Sequence, residues 1–188
     1  SGMGNMGTWK SRGLRGSLLE EEINHTIALY EEKNLALIQK IPTPITPIKL
    51  DQSHKQITLA YFDKKSTVDY MGIVQGIPIC FDAKECHKDS FPLQNLHAHQ
   101  MDFMKRFMLQ GGISFIILSF SKRGEKYYVP YRELEHFYRR MEEGGKKSFR
   151  YDELREAFLV EAKRDLLVHF LEALNQDISV LNQLSKKD

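Results

Sequence analysis

The stretch that decides the fold covers residues 66–85 and reads STVDYMGIVQGIPICFDAKE. Two runs of apolar and β-prone residues flank Gln75-Gly76, a pair that is typical of a tight turn, so the stretch predicts a β-hairpin. A turn centred on this pair places Asp69 opposite Asp82 on the facing strand. The face of the hairpin without these aspartates is apolar and predicts contact with the core; it carries Val68, Tyr70, Val74, Ile77, Ile79, Phe81 and Ala83.

The other face of the predicted hairpin is polar. Thr67 and Lys84 also lie opposite each other, and they share this face with the aspartates because side chains two apart on a strand point the same way. Directly opposed side chains lie about 5 Å apart, so the two carboxylates repel each other unless something compensates. A divalent cation such as Mg²⁺ would compensate, and Lys84 would then stabilise charge that develops on a phosphate. An ordinary surface ion pair between Lys84 and one aspartate is the alternative, and the spacing leaves both open.

The same residues resemble a known catalytic motif. Asp69 is followed thirteen residues later by Asp82-Ala83-Lys84, which resembles the bipartite PD-(D/E)xK motif of restriction-endonuclease-like nucleases. The surrounding sequence narrows this similarity to the RecU family of Holliday junction resolvases. The segments that carry the resemblance are STVDYMG at residues 66–72, FDAKE at residues 81–85 and SFPLQNLHAHQ at residues 90–100.

The resemblance implies a fold, an activity and a set of site residues. The implied fold is an α/β fold with a restriction-endonuclease-like core, in which a mixed β-sheet is flanked by helices. The implied activity is that of a Mg²⁺-dependent endonuclease, with Mn²⁺ as a substitute ion, that resolves four-way DNA junctions in recombination and repair. Lys84 would assist the attack of water on a phosphodiester. The residues that would hold the metal are Thr67, through an oxygen, Asp69, Asp82 and Gln100.

One of these site residues departs from the family pattern. The family more often has glutamate where this chain has Asp82. The shorter side chain moves a metal ligand by about 1.5 Å. Aspartate is allowed at this position in related nucleases, so the motif itself is intact.

Gln100 lies on a helix that is predicted after the hairpin, from about Asn95 to Gln110. The resemblance implies that its amide oxygen completes the metal shell. The residue type and position alone also fit a core glutamine that bonds to the backbone. Both interpretations stay open, because Gln100 is a polar residue on an otherwise apolar stripe of Leu96, Phe103, Met104 and Phe107.

Residues 45–62 predict a β-hairpin of a different kind. Ile45 to Leu50 and Gln56 to Phe62 predict two strands around a polar tip, and neither strand is apolar enough for a core hairpin. The pattern alone favours a polar surface hairpin, whereas the resemblance implies a protruding stalk that inserts at the junction centre. The residues that would contact DNA here are Lys49, His54 and Lys55.

Composition limits where DNA affinity can come from. The 188 residues carry a net charge of only +2, so affinity for nucleic acid must come from local basic patches. The glycine-rich segment 1–16, with Arg12 and Arg15, predicts a flexible basic arm that contacts DNA; a solvated terminus is the alternative. No apolar run is long enough to cross a bilayer and the start is not a signal peptide, so we expect a cytoplasmic protein without a membrane partner.

The length of the chain predicts one domain with extensions. We expect the arm at 1–16, a nuclease domain at 17–156 that includes the stalk, and a helical extension at 157–188. Helical sequence is predicted almost to the end from Asp152 onwards, and the resemblance covers about Arg15 to Leu154.

Within the predicted nuclease domain, three further elements have clear signals. Ser17 followed by Glu20 is a capping-box signal for a first helix. The nearly continuous apolar run from Ile113 to Phe120 is typical of a strand that is buried on both faces. Tyr131 to Glu142 predicts another helix.

The implied reaction also predicts an assembly. Clean resolution of a four-way junction requires symmetric cuts in two strands, so we expect an isologous homodimer. Its surface would come from the strand at 113–120 or from an apolar carboxy-terminal stripe of Leu167, Leu171, Leu174, Ile178 and Leu181.

Two other functions compete with junction resolution. One is a PD-(D/E)xK nuclease with another DNA target, of repair or restriction type. The other is a protein that binds junctions or a recombinase without cutting, although the intact acidic pair and lysine argue against it. A recombinase is also a candidate partner of the resolvase itself.

Overall fold

The computed structural model describes residues 17–63, 67–163 and 166–187, so the predicted arm at 1–16 lies outside the described residues. Two short 3₁₀ turns, Leu93–Asn95 and Tyr151–Glu153, accompany the regular elements. The helices are α1 (Leu18–Glu32), α2 (Ala98–Leu109), α3 (Tyr131–Glu142) and α4 (Leu171–Lys186). The strands are β1 (Leu37–Lys40), β2 (Ile45–Asp51), β3 (Gln56–Phe62), β4 (Tyr70–Val74), β5 (Ile77–Cys86), β6 (Ser90–Pro92), β7 (Ile113–Phe120), β8 (Glu125–Pro130), β9 (Ser148–Arg150) and β10 (Phe158–Leu159).

A mixed sheet organises these elements, with the strand order β1-β4-β5-β7-β8-β10. β5 and β7 pair in parallel, and the other neighbours in this sheet pair antiparallel. One apolar cluster lies between the sheet and α1 and α4, and a second lies between the sheet and α2 and α3. The structure therefore confirms the predicted α/β class, a mixed sheet flanked by helices.

The hairpin formed by β4 and β5 has the predicted register. Tyr70 pairs with Phe81, and the pairing continues without a shift to Val74 and Ile77. Gln75 and Gly76 form the turn with φ values of 49° and 85°, and positive φ at both central residues is what a tight two-residue hairpin turn with the right twist requires. The turn therefore fixes which residues of the two strands face each other.

Both faces of this hairpin pack against other elements, except near the turn, where Ile73 is exposed. Tyr70 and Phe81 stack with Phe115 and Tyr128 on the first face, with neighbouring ring centroids 4.1 to 4.9 Å apart. The second, polar face packs under α2, where Cys80 is fully buried. Val68 is buried on this second side, so its predicted place on the apolar face is wrong; β4 begins only at Tyr70, and strand alternation does not extend back to residue 68.

The predicted stalk forms a sheet of its own. β2 and β3 pair antiparallel from Ile45 and Phe62 to Asp51 and Gln56, apart from the six-stranded sheet. Most of its side chains are exposed, including apolar ones such as Leu50 and Tyr61. A two-stranded ribbon on its own is only marginally stable in water, and this one also exposes apolar side chains.

The carboxy-terminal prediction is wrong over its first part. Residues after Asp152 do not continue as a helix: Phe158–Leu159 pairs with β8 at the edge of the sheet, and the helix begins at Leu171. Pairing with β8 gives this short segment backbone hydrogen bonds to the sheet, and Phe158 packs against the first apolar cluster. Such tertiary contacts override helix propensity. The segment 157–188 thus contributes a strand and core residues as well as the helix α4.

Both surfaces that we considered for a dimer lie largely in the core. Every residue of β7 is buried within the sheet. In the carboxy-terminal stripe, Leu174 is fully buried and Leu171, Ile178 and Leu181 pack against the first apolar cluster. The prediction is therefore wrong for β7 and for Leu174. Leu167 has an exposed fraction of 54%, so a dimer contact at that end of the stripe stays a prediction. Within the described ranges, no helix is both long enough and apolar enough to span a membrane.

Candidate active site

Asp69 and Asp82 meet at the open end of the β4–β5 hairpin. The Asp69 backbone N–H donates to Asp82 Oδ1 at 2.9 Å, and the Ala83 backbone N–H donates to Asp69 Oδ2 at 3.2 Å. Each carboxylate is thus held by the backbone of the opposite strand. This arrangement follows from the register, because extension of the Tyr70–Phe81 pairing by one residue brings the two aspartates together.

Asp82 is a buried carboxyl group beside a lysine. Its exposed fraction is 0%, and Lys84 Nζ lies 2.7 Å from its Oδ2. Burial raises the pKa of Asp82 above its ordinary value, and the neighbouring Asp69 raises that pKa further, while Lys84 acts in the opposite direction. One lysine thus offsets only part of the cost of placing two acidic groups here, and a bound cation would favour their ionised forms.

Gln100, in the first turn of α2, completes this cluster. Its Nε2 donates to Asp82 Oδ2 at 3.3 Å, and its Oε1 accepts from Lys84 Nζ at 3.4 Å. The same oxygen accepts from the His97 backbone N–H at 3.2 Å, which caps the helix. The hairpin and α2 therefore share one network of polar contacts, and the structure brings together Asp69, Asp82, Lys84 and Gln100.

Thr67 lies two residues before Asp69, in the segment that leads into β4. Its side chain is half-buried, and its hydroxyl donates to Val68 O at 3.3 Å. Thr67 is close to Asp69 in sequence and offers a hydroxyl and a backbone oxygen. Its role as a metal ligand stays a prediction.

Hard oxygen donors suit a magnesium-like ion. The carboxylates of Asp69 and Asp82 are such donors, and Mg²⁺ is typically held by one or two protein carboxylates together with water and substrate phosphates. No group of three or more His, Cys, Asp or Glu side chains in the described ranges is arranged to hold a metal. The pair therefore fits an ion that uses few protein ligands better than one that needs a closed protein cage.

Sequence reasoning missed the role of Glu85. Its Oε1 accepts from the Leu19 backbone N–H at 3.1 Å, in the first turn of α1, where the Ser17 hydroxyl oxygen also accepts from the Glu20 N–H. This contact ties β5, which carries Asp82 and Lys84, to the start of α1. No local signal could have revealed it, because the two residues are 66 positions apart in the chain.

The predicted DNA-binding residues are not part of this cluster. Arg12 and Arg15 lie outside the described residues. Lys49, His54 and Lys55 lie on the separate β2–β3 sheet and are exposed. At the tip, Asp51 accepts from the Ser53 hydroxyl at 2.6 Å, and its Oδ2 lies 2.8 Å from His54 Nδ1.

Known proteins share this sequence over most of its length. The family model described as RecU, Recombination protein U, matches residues 14–176. The Holliday junction resolvase RecU of Listeria welshimeri is 42% identical over 148 residues, which cover 77% of this chain and 74% of the relative. The protein of the same name from Levilactobacillus brevis is 40% identical over 172 residues, which cover 89% of this chain and 86% of the relative.

Among solved structures, Hjc of Archaeoglobus fulgidus, a Holliday junction resolvase, is a distant neighbour. It matches with a TM-score of 0.39 and 8% sequence identity, over 60% of this chain and 77% of that chain. This likeness is too weak to add to the argument.

The extent of the family match corrects one expectation. The similarity continues to residue 176 and includes β10 and the start of α4, so the expected end of the resemblance near Leu154 is wrong. Because the match covers most of the chain and the relatives are about 40% identical, this protein belongs to the RecU (Recombination protein U) family.

Proposed function

We propose that this protein is a metal-dependent endonuclease that resolves four-way DNA junctions in recombination and repair, in the cytoplasm. The observation that carries the proposal is the acidic cluster, in which the half-buried Asp69 and the buried Asp82 are held by each other's strands and Lys84 lies 2.7 Å from Asp82. The substrate is inferred from the relatives, which are named Holliday junction resolvases.

The metal would be Mg²⁺, with Mn²⁺ as a substitute. Asp69 and Asp82 would hold it, with Thr67 providing a further oxygen and Gln100 its amide oxygen. When bound, such an ion lowers the pKa of a coordinated water and neutralises charge on the phosphate.

The protein's own contribution is orientation and charge. Backbone N–H groups fix both carboxylates, so the donor set needs little rearrangement. Lys84 has a side-chain exposed fraction of 17%, so its ammonium group lies at the edge of the buried cluster, where it would reach a phosphate oxygen. In this partly buried setting its charge is worth more than in bulk water.

The β2–β3 stalk is the proposed reader of the branch point. It is separate from the main sheet, and Lys49, His54 and Lys55 are exposed on it. Contacts from these side chains would add to those of the basic arm that carries Arg12 and Arg15. Binding by such local patches suits a chain whose net charge is only +2.

We also propose a homodimer, which symmetric paired nicks require. Leu37 on the edge strand β1 pairs with Ile73 on β4, and each has an exposed fraction of 52%. The stalk carries a second exposed apolar set, Leu50, Ile57, Leu59 and Tyr61. We propose that a second copy covers these side chains in place of the buried surfaces considered first.

The test is a cleavage assay on matched DNA substrates. A four-way junction, a flap and a plain duplex are incubated with the protein, with and without Mg²⁺. We expect paired nicks on the junction only when Mg²⁺ is present. Cleavage of flap or duplex with equal efficiency would favour a nuclease of repair or restriction type, and junction binding without cleavage under every metal condition would favour the non-cleaving alternative.

A further inference from the structure

Two loops meet at the edge of the sheet where β5 and β7 end. The two strands are parallel, and Cys86 lies opposite Phe120, so both strands end at the same place. The Ser121 backbone N–H donates to Cys86 O at 2.9 Å, and the Ser121 hydroxyl oxygen lies 2.6 Å from His87 Nδ1. These contacts hold the loop after β5 against the loop after β7. His87 follows Lys84 of the acidic cluster at a spacing that corresponds to about 10 Å along an extended chain.

The short ribbon of β6 and β9 lies beside these loops. The Tyr151 backbone N–H, directly after β9, donates to Asp89 O in the loop after β5 at 3.1 Å. Phe91 and Phe149 of the ribbon belong to the second apolar cluster, between the sheet and α2 and α3. Since α2 also contacts the acidic cluster through Gln100, the ribbon and the acidic cluster lie on the same side of the sheet.

Four basic side chains are exposed on these loops and on the ribbon, and we call them the end-loop patch: Lys88, Lys122, Arg123 and Arg150. Three carboxylates lie near the patch, with N···O distances of 4.0 Å from Lys122 to Asp89, 3.5 Å from Arg123 to Glu125 and 3.3 Å from Arg150 to Asp152. All three distances exceed the value of about 2.8 Å that is typical of strong charge-assisted hydrogen bonds. Ion pairs at the surface are weak, so a phosphate oxygen can replace these carboxylates as a partner.

Tyr151 orders the two arginines of the patch. Arg123 Cζ lies 3.6 Å from the centroid of the Tyr151 ring, and Arg150 Cζ lies 5.6 Å from the same centroid. The ring is half-buried and packs edge-on against Phe120, with the ring centroids 6.2 Å apart. A guanidinium group that lies over a ring keeps the N–H groups at its edge available, and this planar fork matches the oxygens of a phosphate. The patch therefore presents two oriented guanidinium groups to the solvent.

We propose that the end-loop patch binds the sugar-phosphate backbone of the duplex arm that leads away from the scissile phosphate. The proposal rests on the proposed function, because it takes the acidic cluster as the place of cleavage. One strand of duplex DNA advances about 3.4 Å per nucleotide, so 10 Å along the chain from Lys84 corresponds to about three nucleotides. The patch therefore contacts phosphates about three to five nucleotides from the cut.

This surface differs from the stalk in what it recognises. Contacts to phosphates fix the position of the DNA and carry no information about the bases. They need no branch either, so the patch contributes to the binding of plain duplex as well as of a junction arm. Duplex binding is therefore the measurement that isolates the patch from the stalk.

The double variant Arg123→Gln, Arg150→Gln removes both oriented charges. We expect its affinity for a plain duplex, measured in Ca²⁺, to fall about tenfold or more. The plot of log affinity against log salt concentration should become shallower by about 2, because each lost phosphate contact releases about one counterion fewer.

The matched control is the double variant Arg106→Gln, Arg139→Gln. It changes the net charge by the same amount, and it also leaves two carboxylates without their arginines, those of Asp102 and Glu135. Both arginines are exposed on α2 and α3, outside the patch. This control should keep the duplex affinity and the salt dependence of the wild type.

Phosphate ethylation interference on the four-way junction locates the contacts. Ethylation about three to five nucleotides from the cut should weaken binding of the wild type and have no effect on the Arg123, Arg150 variant. An unchanged duplex affinity and salt slope in that variant, an equal loss in the control, or an unchanged interference pattern would overturn the proposal. If the wild type binds DNA but cuts no junction in Mg²⁺, the proposed function fails, and the duplex affinity and salt slope still decide whether the patch binds DNA.

Discussion

Several features of the candidate site meet at Asp82. This residue is fully buried, accepts hydrogen bonds at both carboxylate oxygens and faces a second carboxylate. Asp82→Asn would remove one of the proposed metal ligands and one negative charge near the phosphate. We expect cleavage of the four-way junction to fall to background, while junction binding stays intact or tightens. Gel-shift binding in Ca²⁺ and cleavage in Mg²⁺, measured on the same preparation, check the two expectations separately.

An asparagine variant that cuts at the wild-type rate would remove Asp82 from the catalytic set. Glu85→Gln is the matched control, since Glu85 lies on the same strand, carries the same charge and contacts α1 instead of the acidic pair. That variant should cleave the junction at close to the wild-type rate. Parallel losses in both variants would point to damage to β5 as a whole.

At the residue scale, the sequence predicts what depends on local periodicity. The meeting of Asp69 and Asp82 follows from a turn at Gln75-Gly76 and the alternation of side chains along a strand. The contacts of Gln100 with Asp82 and Lys84 do not follow, because they depend on how α2 docks onto β5. Glu85 was missed for the same reason, since its partner belongs to a distant helix.

At the scale of elements, a buried charge anchors α4 to the sheet. Asp177 has an exposed fraction of 1%; it accepts from Arg132 on α3 and from the Tyr128 hydroxyl on β8. Burial and the nearby Asp177 raise the pKa of Tyr128 well above its ordinary value, so the hydroxyl stays protonated and donates. The three residues thus connect α4 with β8 and with α3.

Loss of this anchor should destabilise the fold without touching the site. Asp177→Ala leaves Arg132 and the Tyr128 hydroxyl without a buried partner, so we expect a loss of about 3 kcal/mol in the free energy of unfolding. In this variant Arg132 still pairs with Glu156, whose carboxylate lies 3.1 Å away. The expected loss of stability is therefore at the lower end of the range for broken buried ion pairs. Urea denaturation measures the loss. Asp102→Ala is the control, because its pair with Arg106 is exposed and should contribute well under 1 kcal/mol.

Elements with strong local signals are predicted well from the sequence, and those that depend on pairing are not. Ile113–Phe120 and Tyr131–Glu142 match their predicted bounds because an apolar run and an amphipathic stripe are properties of the segment itself. Phe158–Leu159 is too short to give a strand signal, and it becomes a strand only because β8 offers an edge. The helical prediction from Asp152 failed at this point.

The stalk is the element whose function can be tested by removal of its tip. Asp51 orders the tip by accepting from Ser53 and His54, so residues 51–55 present a defined shape. Replacement of residues 51–55 by a short glycine linker should weaken discrimination between junction and duplex more than it weakens duplex binding. Competition binding with both DNAs measures the ratio.

The control for that experiment replaces Glu143 and Lys146 with glycine, on either side of Gly144-Gly145 in the exposed turn after α3. This variant should keep the wild-type preference for the junction. An unchanged preference in the tip variant would mean that the stalk does not read the branch point.

At the scale of the whole molecule, the number of active sites decides the outcome of the reaction. One described chain holds one acidic pair, and one such site cuts one strand at a time. If two strands of like polarity are cut at symmetric positions, as we propose, two sites related by a two-fold axis are required. A stable interface typically buries on the order of 1,600 Å², which the exposed apolar residues of the β1 edge and the stalk would help to provide.

We therefore expect a dimer in solution, measured by analytical ultracentrifugation at micromolar concentration, and a loss of dimer in the double variant Leu37→Glu, Ile73→Glu. Subunits of the wild type and of Asp69→Asn, mixed and refolded together, should form heterodimers that nick one strand of the junction and stop. Native and denaturing gels of the same reaction distinguish nicked junctions from resolved duplexes. Two results would show that paired sites are not used: a protein that stays monomeric both free and on junction DNA, or isolated heterodimers that resolve the junction at an undiminished rate. A nuclease with another DNA target would then be the better account of this chain.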